Sequence, residues 1–229
     1  MKAAVINRFG DVPRSEKFPD PIAGEGETLL EVLASPVENF DRMSVSGAHY
    51  GKKATYPGFP AVAGTSGVGK TKEGRLVMFR GVRPPYGAYA ETTVARFVAP
   101  VPEDIDPVLA AAVPSSVLTS LLPLQYSVGL KRGETVWVNG ATGFTGRLAV
   151  TVARMLGAAH VVGTGRNPAG LEKLRGAGCD HLIDLSLQDE ALKEAFRAAA
   201  GSYPPDVIMD FLWGRPAEAP IASLVPGDV

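Results

Sequence analysis

From residue 134 onward the apolar positions follow two alternating rhythms. Short β-rich apolar runs at 136–139, 160–164, 181–185 and 206–211 are separated by longer stretches at 147–156, 169–177 and 189–200. In the longer stretches apolar residues return every third or fourth position, as Val150, Ala153 and Leu156 do, which is the spacing of one helical face. Strand and helix in strict alternation predict right-handed βαβ units and a parallel sheet. The first hundred residues read differently. Glycine and proline punctuate short β-rich runs at 2–6, 27–34, 75–80, 88–94 and 97–101, which predicts a compact β-barrel-like domain. Asp106-Pro107 opens a helix through 112, a second helix follows over 115–127, and Gly129 to Gly133 turn into the next strand. The division expected is a β domain over 1–122 and an α/β domain over 123–229. There is no internal repeat and no low-complexity tail.

One segment carries chemistry in this frame. Gly140-Ala141-Thr142-Gly143-Phe144-Thr145-Gly146 lies between the apolar run ending at Val138 and the helix beginning near Arg147. At such a strand–helix junction the first glycine permits a tight turn, the second lets the backbone approach a pyrophosphate, and the third lets helix and strand pack closely. The phosphates would face the amides and positive dipole end of the helix. All seven residues are therefore candidate dinucleotide contacts.

The end of the second strand bears on which dinucleotide. An acidic residue about twenty positions after the glycines would hold the ribose hydroxyls of NAD, whereas an arginine there accommodates the 2′-phosphate of NADP. Here the chain reads Gly163-Thr164-Gly165-Arg166-Asn167-Pro168, with no Asp or Glu between His160 and Leu171. Gly165, Arg166 and Asn167 join the cofactor candidates, with Arg166 making a forked contact to phosphate. NADP(H) is the expected cofactor.

Composition narrows the partners. Twenty-three basic residues against 24 acidic ones, without a clustered basic stripe, argue against nucleic acid or an anionic membrane. The single cysteine, Cys179, cannot form an internal disulfide. The apolar stretch at the N-terminus is too short for a secretory signal, and nothing approaches the ~18 uninterrupted apolar residues of a membrane span. A cytoplasmic enzyme acting on a small molecule is the expectation.

These features together resemble the medium-chain dehydrogenase/reductase superfamily, and within it the zinc-independent quinone oxidoreductase-like branch. The resemblance rests on the N-terminal β domain, the turn at 24–28, the stretch Leu130-Lys131-Arg132-Gly133-Glu134-Thr135-Val136-Trp137-Val138, the 140–146 glycines and the upstream Leu118-Thr119-Ser120. It covers essentially the whole chain. It implies a GroES-like β-barrel followed by a partial Rossmann doubly wound parallel sheet, an α/β fold overall. It also implies a zinc-free reductase that transfers hydride from NADPH to a quinone or an activated carbon–carbon double bond, a small electrophilic acceptor. In relatives the threonine matching Thr119 lies close to the nicotinamide, which makes Thr119 a cofactor candidate.

Zinc-dependent members carry a catalytic cysteine, a Gly-His-Glu segment and a four-cysteine loop, because zinc needs about four N, S or O ligands. At the corresponding places this chain has Glu38 and Gly64-Thr65-Ser66, so no metal site is expected. Matching Ser46-Gly47 to the family's turn puts Asp41 on the usual aspartate and Glu38 on the Asn or Cys position. Met43 takes one tyrosine position, and His49 and Tyr50 follow nearby. Tyr50 and Asp41 are the catalytic candidates, Tyr50 as proton donor or orienter. Hydride transfer needs chiefly positioning and one proton donor, so such drift is chemically tolerable.

Other readings compete. Gly64-Thr65-Ser66-Gly67-Val68-Gly69-Lys70-Thr71 satisfies the P-loop pattern, with 207–210 as a Walker B strand. A P-loop needs a helix starting at its Lys-Thr, whereas a strand follows here. A short-chain reductase would begin with the glycine motif and carry a tyrosine four residues before a lysine; this chain does neither. A complete dinucleotide fold has six strands, and this chain offers four before 224–229, where a fifth would begin. The expectation is a C-terminally truncated chain whose relatives pair as homodimers through the region beyond. Its non-enzymatic alternative is a protein that senses NADPH without turnover.

Overall fold

The computed structural model describes residues 1–224; the expectation placed on 225–229 lies outside the described residues. The chain divides into two compact units, Met1–Pro114 and Ser115–Val229.

The first unit contains β1 (Lys2–Ile6), β2 (Arg14–Lys17), β3 (Thr28–Ala34), α1 (Asn39–Ser46), α2 (Lys52–Thr55), β4 (Ala61–Val62), β5 (Ser66–Lys70), β6 (Leu76–Val82) and β7 (Thr92–Pro100). Strands β3, β5, β6 and β7 close into an antiparallel barrel, and β2-β1-β4 form a small sheet. The barrel core is Leu30, Val77, Phe79, Ala88 and Ala95. The runs expected at 88–94 and 97–101 merge into a single continuous strand, β7, preceded by a segment in which Tyr89 N donates to Ala63 O. Strand β2 escaped the sequence reading because all four of its residues are exposed, which leaves no alternation to read.

Strand β5 overturns the P-loop reading. Ser66–Lys70 pairs antiparallel with both β3 and β6. Its glycines serve the barrel: a Cβ on Gly67 or Gly69 would overlap the carbonyl oxygens of Ala34 and Glu31 on β3. Beyond Lys70 the chain makes a hairpin, with Thr71 N donating to Arg75 O and Gly74 at φ +79. No helix starts there, so no amides converge on a phosphate.

The second unit is built on β8 (Thr135–Asn139), β9 (His160–Gly165), β10 (His181–Asp184) and β11 (Val207–Asp210), all parallel in the order β10-β9-β8-β11. Helices α4 (Phe144–Leu156), α5 (Pro168–Ala177), α6 (Asp189–Ser202) and α7 (Arg215–Ser223) cover it. Val136 and Val138 of β8 pack into one apolar layer with Ala149, Val150, Ala153 and Leu174. Trp137, between them, joins the opposite layer with Val162, Ile183, Leu192 and Phe196. Alternate side chains of one strand thus bury on both faces, which is why these runs read as unbroken apolar stretches. Helix α7 carries Pro216 in its first turn and Pro220 inside it, two residues that obscure a helical pattern in the sequence.

The two helices expected at 107–112 and 115–127 are one, α3 (Pro107–Leu122), continued by a wider turn over Pro123–Ser127. Pro114 sits inside α3. Its fixed φ is helical, so the loss is confined to one donor and local crowding, and the apolar neighbours carry the helix through. Val117, Leu121 and Leu124 pack on the core of the second unit, so the division falls inside this helix, ahead of residue 122. The continuous run Pro107–Ser127 is also long and apolar enough to cross a membrane by length and composition. Its hydroxyl residues hid this from a search for uninterrupted apolar stretches.

Candidate functional site: a glycine turn at the carboxyl edge of the parallel sheet

Two of the three glycines in the turn after β8 are required by its geometry. Gly140 has φ +87, where a side chain is strained. A Cβ on Gly146 would overlap Gly140 O and Ala141 Cα, so its absence is what lets α4 sit against the strand. Gly143, the α4 N-cap, is different: a Cβ there would meet only Gly140 O, at 3.7 Å. Its missing side chain is not demanded by the fold and leaves open space at an exposed helix N-terminus that no side chain caps. That combination fits a dinucleotide's phosphates, which need close backbone approach and unpaired amides.

The remaining candidates divide between packing and exposure. Ala141 is buried, and its amide donates to Thr164 O at 2.8 Å. Thr142 is wedged against β9 and α5, since a Cβ on Gly165 would overlap its methyl group and one on Gly170 would touch it. Gly165 is therefore a packing glycine as well as a site candidate. Phe144 is exposed, and Thr145 Oγ1 donates to Ser116 Oγ at 3.2 Å, tying α3 to the glycine turn. Thr119 lies one turn beyond Ser116, where its hydroxyl donates to Ser116 O. Arg166 is exposed at the end of β9 and has no carboxylate partner among the described residues. Asn167 caps α5 through Gly170 N at 3.0 Å, which commits its carbonyl oxygen and leaves its amide NH2 to bond elsewhere.

A buried network behind the turn was missed from sequence. Thr164 Oγ1 donates to Asn139 Oδ1 at 2.6 Å and accepts from Gly140 N at 3.0 Å. Asn139 Nδ2 donates to Asp210 Oδ1 at 2.6 Å and to Pro216 O at 2.8 Å. Asp210 then accepts from Trp213 N at 2.8 Å. Asp210 is thus a turn-forming carboxylate that ties the loop after β11 to the glycine turn, and this corrects the Walker B reading of 207–210. Polar residues at the ends of apolar strands were the one available signal.

The catalytic candidates lie in the first unit, and the structure separates them. Asp41 is 3% exposed, and its carboxylate accepts from Glu38 N at 3.1 Å, Thr65 Oγ1 at 2.9 Å and Tyr89 Oη at 3.0 Å. It completes a capping box at the start of α1. Its oxygens are engaged within the fold of the first unit. Tyr50 is the reverse: 97% exposed, stacked on His49 with ring centroids 4.4 Å apart.

Burial pushes the Tyr56 hydroxyl up to about 12, and burial with the Asp41 charge beside it also raises Tyr89. The unfolded chain ionises these groups near pH ~10, so the fold keeps protons the unfolded state has lost. Stability is complete below that pH and is lost as pH rises towards the folded values, by roughly 1.4 kcal/mol per pH unit for each such tyrosine. Tyr56 Oη has no hydrogen-bond partner among the described residues, so Tyr56→Phe should leave neutral stability unchanged or higher and flatten the alkaline loss. Urea melts at about pH 9 and about pH 11 measure this; an unaltered slope in the variant would refute it.

A parallel sheet with a phosphate-fitting glycine turn at its carboxyl edge, in a chain that also holds a four-stranded antiparallel barrel, defines a dinucleotide-fold protein of two-unit type. The chain belongs to the medium-chain dehydrogenase/reductase superfamily, in its quinone oxidoreductase-like branch. The quinone oxidoreductase of Thermus thermophilus, solved also in complex with NADPH, superposes with a TM-score of 0.82 at 29% identity, covering 98% of this chain and 70% of that one. The 2-haloacrylate reductase of a Burkholderia species is 31% identical over 224 residues, 92% of this chain and 66% of that protein. A mycocerosic acid synthase-like polyketide synthase of Mycobacterium tuberculosis is 30% identical over 216 residues, 89% of this chain and 10% of that protein. The chain therefore spans a tenth of that synthase and about two thirds of the reductase. No family model matches it.

Proposed function

We propose that this chain binds NADPH and serves a zinc-free reductase that transfers hydride to a quinone or an activated carbon–carbon double bond. The observation that carries the reading is the pairing of an open Gly143 with an exposed Arg166 at neighbouring strand ends, with no Asp or Glu between residues 160 and 171 of the sequence and no ion-pair partner for the arginine among the described residues. The glycine turn would hold the pyrophosphate and Arg166 the 2′-phosphate. Bound there, the cofactor supplies a hydride. In this reading Thr119, Phe144, Thr145 and the amide NH2 of Asn167 are further contacts.

Relatives named for quinones and for a haloacrylate support this class of acceptor, since both are electron-poor conjugated systems that hydride can reduce. The zinc-free character rests on the donor set: one cysteine, buried, and Glu38 and Gly64-Thr65-Ser66 where zinc-dependent members carry ligands. Tyr50, at the surface of the first unit, is the proton donor in this reading. A cytoplasmic setting and a small-molecule acceptor accompany it.

The test is NADPH oxidation against a panel of small quinones and 2-substituted acrylates, beside direct binding of NADPH and NADH. Turnover with NADPH preferred is expected. Tight NADPH binding without oxidation of any acceptor would replace the enzyme by a sensor, for which the internal role of Asp41 already speaks. Preference for NADH would overturn the cofactor assignment.

A further inference from the structure

We infer that Trp213 is a cofactor-facing aromatic that packs against the nicotinamide half of the bound dinucleotide; this rests on the NADPH reading above. Trp213 is the one non-glycine residue with positive φ among the described residues, at φ +60, and it is 84% exposed. A bulky side chain in that conformation is strained, and a large indole held in water gains nothing from the fold. Yet the position is built with care. Asp210 accepts from the amides of both Leu212 and Trp213 while itself accepting from buried Asn139, the residue before the glycine turn. Leu212 lies against Gly140, where a Cβ would come within 2.9 Å of its side chain. Gly214, at φ +62 and ψ −150, occupies a region open only to glycine and completes the turn into α7. Strain of this kind, fixed by a buried network, is retained where a side chain has work outside the fold.

Strand order says which half of the ligand it meets. Arg166 follows β9, the glycine turn follows β8, and Trp213 follows β11, and these three strands are adjacent in the order β9-β8-β11. A dinucleotide with its 2′-phosphate at Arg166 and its pyrophosphate at the glycine turn must extend its other half towards β11. An exposed indole there offers a flat apolar face to a flat ring.

The chain has two tryptophans, and Trp137 is 1% exposed in the core, so quenching by a soluble quencher such as acrylamide reports Trp213 alone. NADPH and NADP⁺ should shield Trp213 from acrylamide, whereas 2′,5′-ADP, which lacks the nicotinamide half, should bind without shielding it. Trp213→Gly should raise the melting temperature by relieving the backbone, yet weaken NADPH about tenfold and leave 2′,5′-ADP unchanged. Trp213→Phe should keep most of the affinity. NADPH bound with no shielding, or shielding by 2′,5′-ADP as strong as by NADPH, would overturn the inference and leave the cofactor reading intact. Equal weakening of both ligands with a fall in melting temperature would make Trp213 a structural residue and likewise overturn it. Failure of the parent chain to bind NADPH or 2′,5′-ADP would overturn both readings.

Discussion

Replacing Arg166 by alanine is expected to weaken NADPH binding by about ten- to a hundredfold and to leave NADH almost unchanged. A charge-assisted contact to a phosphate contributes ~1.5–3 kcal/mol, and each 1.4 kcal/mol is roughly a factor of ten in affinity. The residue is exposed, without an ion-pair partner among the described residues, at the end of β9, so its removal disturbs nothing else in the fold. The melting temperature should stay put. Titration of the variant with both cofactors checks the assignment: equal weakening of NADPH and NADH would mean that Arg166 does not read the 2′-phosphate. Arg166→Lys should recover only some of the loss, because an ammonium lacks the planar fork. Added salt should reduce the NADPH advantage, since the contact lies in water and is screened.

The last two glycines of the turn should fail in different ways. Gly146→Ala forces a Cβ into Gly140 O and Ala141 Cα, both backbone and unable to yield without moving the turn. A loss of roughly 1–3 kcal/mol of stability is expected from such overpacking, with dinucleotide binding falling as the turn shifts. Gly143→Ala has room, with Gly140 O at 3.7 Å and backbone angles of φ −74 and ψ 166 that alanine adopts freely. Its stability cost should stay below about 1 kcal/mol, the difference between glycine and alanine at an N-cap. Binding should nevertheless drop, because the methyl group occupies the space left for the pyrophosphate. Chemical melts and NADPH titrations on both variants separate the cases. A Gly143→Ala protein that binds NADPH at full strength would mean that the phosphates do not approach that glycine.

These expectations also mark how far the sequence could be read. The βαβ series came through because each strand and helix announces itself within a dozen contiguous residues. Val136 and Val138 on one side and Trp137 on the other make a run that only a doubly covered strand explains. The barrel came through less well. Strand β2 has no buried face, β4 is two residues long, and β5 is so rich in glycine that it imitates a phosphate loop. The two helices expected at 107–112 and 115–127 run together, because the single donor lost at Pro114 is outweighed by the packing of Val117, Leu121 and Leu124.

Within the site the same division holds. The glycine turn was legible because turn geometry belongs to single residues and their immediate neighbours, and the exposure of Arg166 follows from its place at a strand end. The bonds that hold Asp41 were not legible, because its three donors come from Glu38, Thr65 and Tyr89, and only folding brings the last two to it. Asn139, Thr164 and Asp210 passed unnoticed for the same reason. Thr164 lies 25 residues from Asn139, and Asp210 lies 71 away. The sequence by itself thus determined the dinucleotide fold, its glycine turn and the arginine beside it, since period, turn and charge are local properties of the chain. The tertiary structure alone decided which polar groups are spent on holding that turn and which stay free to meet a ligand. Hydrogen-bond satisfaction in a buried site is settled between residues remote in sequence, where no local pattern records it.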